Sequence, residues 1–458
     1  MIISLSLIAL LTVGDGLPSR SPAEVRMSVD RLRAIDRVVR RGLDAGGFPG
    51  AAVVVGREGY SVFEKGFGKL DWRAGSPAVS ADRTIYDLAS LTKVVATTTA
   101  AMLLFDEGKL ELDAPVAKYL PEFAGGSKDR VTVRQLLTHR TGLPAGRELW
   151  RLASSPGAAR WAVIATPLVC EPGSCFIYSD LGADLLGWVI ESIAGESLDA
   201  FAQRRVFGPL GMTDTFFRPA DSLEYRIAPT EIAPPRGYPL RGQVHDENAY
   251  VLGGVAGHAG LFSTAADLSV FAQMLLNGGQ YNGVRIVSDS TVALFTRRAA
   301  GPGSWNGSSR ALGWDTADGD GSSGIYLTPR AYGHTGFTGT SMWIDPERQM
   351  FVILLTNRVH AARAKRPGRV IADVRADLSD AAAFAVTDAE FAIDEKVAYR
   401  ADKRVGWNPL RRSRSARSSS RGKARSARIA RAKKASAKKR TAAPGSSAET
   451  IVQKRRAG

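Results

Sequence analysis

Ser90 and Lys93 are three residues apart in the segment Leu88–Val95, and together they could act as a nucleophile and its base. On a helix, side chains at positions i and i+3 have Cβ atoms about 5–6 Å apart. A serine hydroxyl is inert unless a neighbouring group takes its proton, and a lysine held neutral by its surroundings can do so. A nearly continuous apolar run follows, so the pattern predicts a buried helix with Ser90 at its start.

Two further segments carry residues that acyl transfer would use. Phe176–Gly182 places Tyr178 just before a helix start, where its phenol could share a proton with Lys93. Gly333–Phe337 lies on a predicted strand, where glycines allow a substrate backbone to approach the edge of a sheet closely. The three segments together indicate a site for nucleophilic catalysis.

The order Ser-x-x-Lys, Tyr-Ser-x, His-Thr-Gly resembles the serine β-lactamase-related superfamily. This superfamily includes class C β-lactamases, penicillin-binding DD-carboxypeptidases, β-lactamase-like esterases and D-aminopeptidases. The resemblance covers about residues 25–390 and extends to the segments Leu136–Leu143, Pro209–Thr215, Ala259–Leu268 and Gly336–Asn357. It implies a β-lactamase/transpeptidase-like fold and a serine hydrolase.

The resemblance also implies roles for single residues. Ser90 would be the acylated nucleophile and Lys93 its base, while Tyr178 would carry protons to the leaving group and from the deacylating water. The backbone N–H groups of Ser90 and Phe337 would form the oxyanion hole, a kind of donor whose loss costs about 10²–10³-fold in rate in other enzymes.

The family's cleft-lining positions correspond here to His334, Thr335 and Gly336, which would bind the substrate's carboxylate or carbonyl. No metal or organic cofactor is implied.

Two residues depart from the family's pattern. Asp180 stands where Asn is usual; its carboxylate only accepts hydrogen bonds, so it could pair with Lys93, keep that lysine charged and shift the base role to Tyr178. His334 stands where β-lactamases have Lys, and a histidine with a pKa near 6.5 is mostly neutral at pH 7.5. Both departures argue against a dedicated β-lactamase.

Three more histidines lie in family-like segments. His245, Asp246 and His258 could suggest a metal site or a second catalytic triad, but a structural hydrogen bond or a cleft-lining role is enough to explain His258 in its glycine-rich loop. His139 is expected to brace the cleft as a structural residue.

The elements that must position these residues predict an α/β (α+β) fold. An amphipathic helix is predicted over residues 22–45, followed by a β-hairpin with strands at Ala51–Gly56 and Tyr60–Gly68. The predicted helices of the middle region are Val94–Glu107, Leu181–Ala194, Leu198–Phe207, Ala265–Leu276 and Asp289–Arg297. The late elements are strands at Ala311–Asp315, Tyr332–Phe337, Gly339–Asp345 and Gln349–Thr356, and a helix over Val370–Ala385. An antiparallel sheet built from both chain ends, with helices on its faces and a helical region beside it, satisfies this order.

The charge of the chain is concentrated at its C-terminal end. The formal net charge is +16, yet residues 401–458 hold 19 Lys and Arg against two Asp and Glu, so the rest of the chain is nearly neutral. The tail over residues 411–458 has too few apolar residues to offset its ordering entropy and is predicted to be disordered. It could bind an anionic envelope polymer; nucleic acid is disfavoured because no aromatic residue follows Trp407 to stack on bases.

The N-terminal end and the two cysteines bear on the compartment. Ile2–Val13 is an apolar run of signal-peptide length, so residues 1–20 are interpreted as an export signal, although no Lys or Arg precedes the run and an uncleaved anchor stays open. Export would place the protein in the periplasm or cell envelope or outside the cell. Cys170 and Cys175 flank a turn and could form a disulfide there or stay as two small apolar residues; zinc is disfavoured because two ligands do not make a site.

The sequence therefore predicts one hydrolase domain over residues 22–400, acting as a monomer on a small ester, a β-lactam or a D-Ala-type peptide. Three readings stay open: an esterase or DD-carboxypeptidase, a penicillin-recognising sensor with little turnover, and a true β-lactamase.

Overall fold

The computed structural model describes residues 16–299, 310–317, 319, 321–393 and 397–403. Most of the predicted export signal, including the apolar run Ile2–Val13, and the whole basic tail over residues 411–458 lie outside these ranges. Among the helices in the described ranges, none is both long and apolar enough to cross a membrane.

Six strands from the two ends of the chain form one antiparallel sheet in the order β2-β1-β11-β10-β9-β8, and β3, β5 and β4 form a small second sheet. The six-stranded sheet confirms the predicted architecture. The strands of the described residues are β1 (Gly50–Arg57), β2 (Tyr60–Gly68), β3 (Tyr86–Asp87), β4 (Phe216–Phe217), β5 (Leu261–Ser263), β6 (Gln280–Tyr281), β7 (Val284–Arg285), β8 (Asp315–Thr316), β9 (Tyr332–Thr335), β10 (Ser341–Asp345) and β11 (Met350–Thr356).

Helices fill the region between the early and the late strands and also cover the sheet. They are α1 (Val29–Asp44), α2 (Thr99–Asp106), α3 (Val133–Leu137), α4 (Leu149–Leu152), α5 (Pro156–Ile164), α6 (Asp180–Ala194), α7 (Leu198–Ala202), α8 (Glu247–Val251), α9 (Ala265–Leu276), α10 (Asp289–Thr296), α11 (Pro367–Ala385) and α12 (Arg400–Lys403). Short 3₁₀ turns occur at Pro22–Val25, Ala89–Leu91, Val116–Lys118, Pro121–Phe123, Gly126–Arg130 and Asp221–Arg226, and π-helical segments at Lys93–Thr98 and Gln203–Phe207.

Strand β1, which lies between β2 and β11, is buried on both faces, so the molecule has three layers around the sheet. Because alternate residues of a strand face opposite sides, Val53 and Val55 join the apolar cluster formed with α1 and α11. Ala52 and Val54 join the larger cluster, which contains residues of α2, α6 and α9. This larger cluster lies on the side of the sheet where the helix carrying Ser90 begins.

Counted together with the π-helical segments Lys93–Thr98 and Gln203–Phe207, the predicted helices of the middle region match the structure within one or two residues at their ends, but three other elements differ. In the strand predicted over Ala311–Asp315, only Asp315 belongs to a strand, β8. The helix predicted over residues 22–45 is divided: Arg26 has a left-handed φ of 54°, and α1 begins only after Ser28, whose side chain accepts a hydrogen bond from Arg31 N. The strand predicted over Tyr332–Phe337 ends at Thr335, because the chain turns there.

Candidate active site

Ser90 lies in the 3₁₀ turn that precedes the buried helix, and Asp87 holds that turn in place. The Asp87 carboxylate accepts hydrogen bonds from Ala89 N at 2.8 Å and from His245 N at 2.6 Å. Ala89 has a left-handed φ of 47°, so the backbone bends sharply just before the serine. Ser90 is half-buried between two buried neighbours.

Lys93 is buried, with 4% of its side chain exposed, and its ammonium has three close oxygen neighbours. Nζ lies 3.0 Å from Ser90 Oγ, 3.1 Å from the carbonyl oxygen of His258 and 2.7 Å from Asp180 Oδ1. Burial alone would lower the pKa of Lys93, but the charge of Asp180, followed by Tyr178, outweighs it and raises that pKa above its usual value. The lysine is therefore an ammonium at neutral pH, donating toward the serine oxygen.

Tyr178 lies against this ammonium and against His139. The Lys93 Nζ is 5.0 Å from the centroid of the Tyr178 ring, and the His139 and Tyr178 ring centroids are 4.5 Å apart. His139 Nδ1 accepts a hydrogen bond from Ser179 N at 3.1 Å. Burial, then the positive charges of Arg310 and Lys93, hold the pKa of His139 well below its usual value. A neutral His139 thus supports the tyrosine, in keeping with the bracing role expected for it.

His334 is buried on β9 and is also neutral. Burial, aided by the charge of Arg310, lowers its pKa to about 4, although Asp315 opposes the shift. Its Nδ1 lies 2.9 Å from Thr335 O, and Arg310 Nη2 lies 3.4 Å from its Nε2. Both ring nitrogens therefore have partners in this state, and a substrate carboxylate would have to displace one of them to bind His334.

The turn from Gly336 to Thr340 is joined to the residues just before Ser90. Thr338 Oγ1 donates to Asp87 O at 2.8 Å, and Thr340 Oγ1 donates to Leu88 O at 3.0 Å. A Cβ on Gly336 would lie 2.1 Å from Thr340 Oγ1 and 2.4 Å from Leu88 O, so only glycine allows this approach. The contacts hold the backbone of this turn beside the nucleophile's turn.

Phe337 projects from the same turn and is 60% exposed. Its ring is stacked on the His245 ring, with centroids 5.7 Å apart. The Arg358 guanidinium lies 4.6 Å from the centroid of the Phe337 ring. His245 Nε2 in turn lies 2.9 Å from Glu231 Oε1. The oxyanion-hole role of the Phe337 N–H stays a prediction.

Several residues that support the site have no place in the sequence motifs. Arg375 Nη2 donates to Gly336 O at 2.6 Å and to Thr340 O at 2.8 Å, so one guanidinium holds both ends of the turn. Arg310 bonds to His334, and Asp184 bonds to His258 at 2.6 Å. Only Asp184 had a local signal, because it lies one helical turn after Asp180 on α6.

Cys170 and Cys175 form a disulfide, with Cα atoms 6.5 Å apart. The closed loop leads directly into the segment that carries Tyr178, where Ile177 N donates to His139 O at 3.0 Å. The structure thus decides the alternative left open for the two cysteines and ties them to the backbone on which the tyrosine lies.

The structure brings Ser90, Lys93, Tyr178 and Asp180 together, with His258 behind Lys93. The chain as a whole is similar to known proteins. The family model described as Beta-lactamase matches residues 35–376. A relative from Escherichia coli (strain K12) with the name "Putative D-alanyl-D-alanine carboxypeptidase" is 35% identical over 380 residues, which cover 75% of this chain and 86% of that protein.

Two solved structures illustrate the shared fold. A penicillin-binding protein homologue from Caulobacter crescentus is 23% identical with a TM-score of 0.61, covering 78% of this chain and 98% of that one. EstCE1, described as a hydrolase with promiscuous acyltransferase activity, is 24% identical with a TM-score of 0.60, covering 77% and 98%.

Proposed function

Since the chain belongs to the beta-lactamase family, we propose that it is a serine hydrolase that forms an acyl-enzyme on Ser90 and cleaves an ester or a D-amino-acid amide. The observation that carries the proposal is the distance of 3.0 Å between Lys93 Nζ and Ser90 Oγ inside a buried cluster. The name of the relative from Escherichia coli favours a peptide ending in D-alanine as the amide.

Tyr178 is the proton carrier in this proposal, because Asp180 keeps Lys93 as an ammonium. Ser90 Oγ attacks the substrate carbonyl as its proton passes to the phenolic oxygen of Tyr178, whose ring lies beside the Lys93 ammonium. The tyrosine gives its own phenolic proton to the departing alcohol or amine as the C–O or C–N bond breaks, so the phenol is regenerated. A water molecule cleaves the acyl-enzyme by the same path in reverse.

The charge of the cleft bears on the choice of substrate. About a third of the Asp180 side chain is exposed, so its carboxylate faces incoming groups as well as Lys93. A carboxylate accepts from an ammonium or an N–H, yet it donates nothing to the amide carbonyl of an N-acylated substrate. Simple esters, and D-amino-acid amides or short D-alanine peptides with a free ammonium group, therefore fit better than N-acylated substrates such as β-lactams with acylamino side chains.

A penicillin-recognising sensor is the second candidate, and the same ion pair favours it. If the charged lysine slows attack by water on the acyl-enzyme, the protein would react once and stay acylated. Steady-state turnover of a β-lactam would contradict this alternative, whereas a single stoichiometric burst would support it.

The test uses the purified full chain with a fluorophosphonate, a penicillin and a panel containing a short-chain ester, nitrocefin and a D-Ala-D-Ala peptide. We expect added mass on the peptide containing Ser90, turnover of the ester or the peptide, and neither in Ser90→Ala. A wild-type protein that gains no mass and hydrolyses nothing in the panel would overturn the proposal.

A further inference from the structure

The segment from Gly257 to Gly260 lies between the helix that carries Lys93 and helix α6. Gly257 O accepts a hydrogen bond from Thr97 Oγ1 at 2.7 Å, and the next carbonyl, that of His258, accepts one from Lys93 Nζ at 3.1 Å. On its other side, a Cβ on Gly257 would lie 2.0 Å from Ala183 O of α6. The position of this segment therefore decides where the lysine finds its backbone acceptor.

The His258 side chain ties the same segment to two carboxylates. The residue is 1% exposed; Nδ1 lies 2.6 Å from Asp184 Oδ1 and Nε2 lies 2.9 Å from Asp246 Oδ1. Carboxylates accept hydrogen bonds, so both ring nitrogens act as donors and the ring is an imidazolium. Burial alone would lower the pKa of His258, but Asp184 and Asp246 raise it well above its usual value.

The two carboxylates belong to different elements. Asp184 lies in the second turn of α6, with 1% of its side chain exposed. Asp246 precedes α8, and its Oδ1 also accepts from Asn248 N at 2.9 Å and from Ala249 N at 2.8 Å. The imidazolium thus joins α6 to the start of α8 while its own backbone faces the lysine.

We propose that His258 is a positioning residue for the reaction at Ser90: its imidazolium, fixed between Asp184 and Asp246, holds the His258 carbonyl where it accepts from the Lys93 ammonium and so keeps that ammonium aimed at Ser90 Oγ. The inference rests on the proposed function for its effect on rate, but not for its effect on the lysine. A metal site and a second triad are not needed for these residues, since both ring nitrogens of His258 are paired with one oxygen of Asp184 and one of Asp246.

The arrangement consists of five charged groups in which every cation has a carboxylate partner. Lys93 and His258 carry two positive charges, and Asp180, Asp184 and Asp246 carry three negative ones, all within one connected set of contacts. Each buried cation has a carboxylate partner, as buried ions require. Removing the imidazolium alone would leave Asp184 buried and unpaired, so a second variant is needed that also removes this carboxylate and restores the net charge of the set.

The variants are His258→Asn, the double variant Asp184→Asn with His258→Asn, and Asp267→Asn as a matched control. Asn is too short to reach both neighbouring carboxylates, and in the double variant two neutral amides replace the buried ion pair. Asp267 is also a buried carboxylate, but it accepts from Asp214 N and from Thr215 Oγ1. It therefore tests the loss of a buried carboxylate without loss of the proposed contact.

Two measurements separate positioning from mere stability. The first measurement is kinetic: the rate of acylation at Ser90 is determined from the gain in protein mass, and kcat and KM from steady-state turnover. The thermal midpoint of unfolding is measured on the same variants. We expect a fall of about 10²-fold in acylation and kcat, the size of a misplaced catalytic contact, with KM changed less than about threefold. The double variant should recover most of its thermal stability and stay slow, while Asp267→Asn should keep the wild-type rate.

The second measurement does not need turnover. The ¹⁵N-labelled Lys93 ammonium, assigned by its loss in Lys93→Met, should give a slowly exchanging signal in wild type and in Asp267→Asn, and a signal broadened by exchange with water in both His258 variants. A wild-type signal in those variants, or an acylation rate restored along with stability in the double variant, would overturn the inference. A wild type that fails to acylate while its Lys93 signal responds as expected would instead count against the proposed function alone.

Discussion

Asp180 decides the charge that Lys93 carries, and its replacement tests which residue acts as the base. In Asp180→Asn the largest influence raising the pKa of Lys93 is gone, so that pKa falls and more neutral amine is present at any given pH. Neutral Lys93 can then take the Ser90 proton itself. We therefore expect the acylation rate of Asp180→Asn to rise with pH at lower pH values than the rate of the wild type. The pH dependence of Ser90 labelling measures this shift.

The same variant also changes the substrate preference. The new amide can donate to an acylamino carbonyl, so we expect the ratio of N-acylated to simple ester turnover to rise about tenfold, the size of one added hydrogen bond. Asp113→Asn, at an exposed carboxylate, is the control. An unchanged pH profile in Asp180→Asn would mean that the ion pair does not govern the base.

Asp267 makes the stability of the fold depend on pH. Burial raises its pKa to about 7, whereas an unfolded aspartate has a pKa of about 3.9. The folded chain therefore binds more protons between these values, and the free energy of unfolding falls as pH rises from about 4 to 7.

Replacing this carboxyl group should reduce the fall. An Asn side chain can still accept from Thr215. In Asp267→Asn we therefore expect the loss of stability between pH 5 and pH 8 to be smaller than in the wild type, by a difference on the order of 2 kcal/mol. Urea unfolding at the two pH values gives the comparison. Equal losses in the two proteins would show that Asp267 does not titrate in this range.

At the scale of elements, the turn after β9 is the part of the sheet that meets the nucleophile. In Gly336→Ala the new methyl group would push the turn away from Leu88, and we expect kcat to fall about 10²-fold, as for other misplaced catalytic contacts. Gly75→Ala is the matched control, since a Cβ there meets nothing within 4 Å. Steady-state kinetics at temperatures where both variants are folded would decide, and equal kcat values would contradict this role of the turn.

Elements whose cause is local were predictable, and those decided by distant contacts were not. The hairpin β1–β2 follows from two strand-forming segments on either side of a short glycine turn, and α9 from helical spacing. The break at Arg26 has no such signal: Ser28 N donates to Ala385 O, and Met27 pairs with Val386, more than 350 residues later. The strand predicted at Ala311–Asp315 likewise depends on a distant contact. Only β8, Asp315–Thr316, forms there, because pairing with β9 begins at Asp315.

The site shows the same division. Ser90, Lys93 and Tyr178 lie in motifs with recognisable spacing, and Asp180 could be identified as a partner of Lys93 from its position alone. Arg310 and Arg375 reach the site from elements far along the chain, so no spacing relates them to Ser90. The charge of His258 was beyond the sequence, because it depends on the buried carboxylates Asp184 and Asp246. His334 was expected to be mostly neutral, and its burial lowers its pKa further.

At the scale of the whole molecule, the basic C-terminal tail is predicted to bind an anionic polymer and to take no part in catalysis. Deleting residues 411–458 should leave ester turnover unchanged, because the catalytic residues lie before residue 340, and should abolish salt-sensitive retention on an anionic polymer. Retention measured on a charged matrix at rising salt, beside turnover of the same preparation, gives both values. Undiminished retention without the tail would exclude it as a tether.

The pairing of β1 with β11 has a consequence for synthesis of the protein. A nascent chain that has emerged from the ribosome as far as residue 300 already contains Ser90, Lys93, Tyr178 and His258, but it lacks β9, β10 and β11. One edge of β1 is then unpaired, and the turn that contacts Leu88 does not yet exist. The nucleophile therefore acquires its complete surroundings only after β9, β10 and β11 have been made, so chains that stop before them carry the reactive residues without the site.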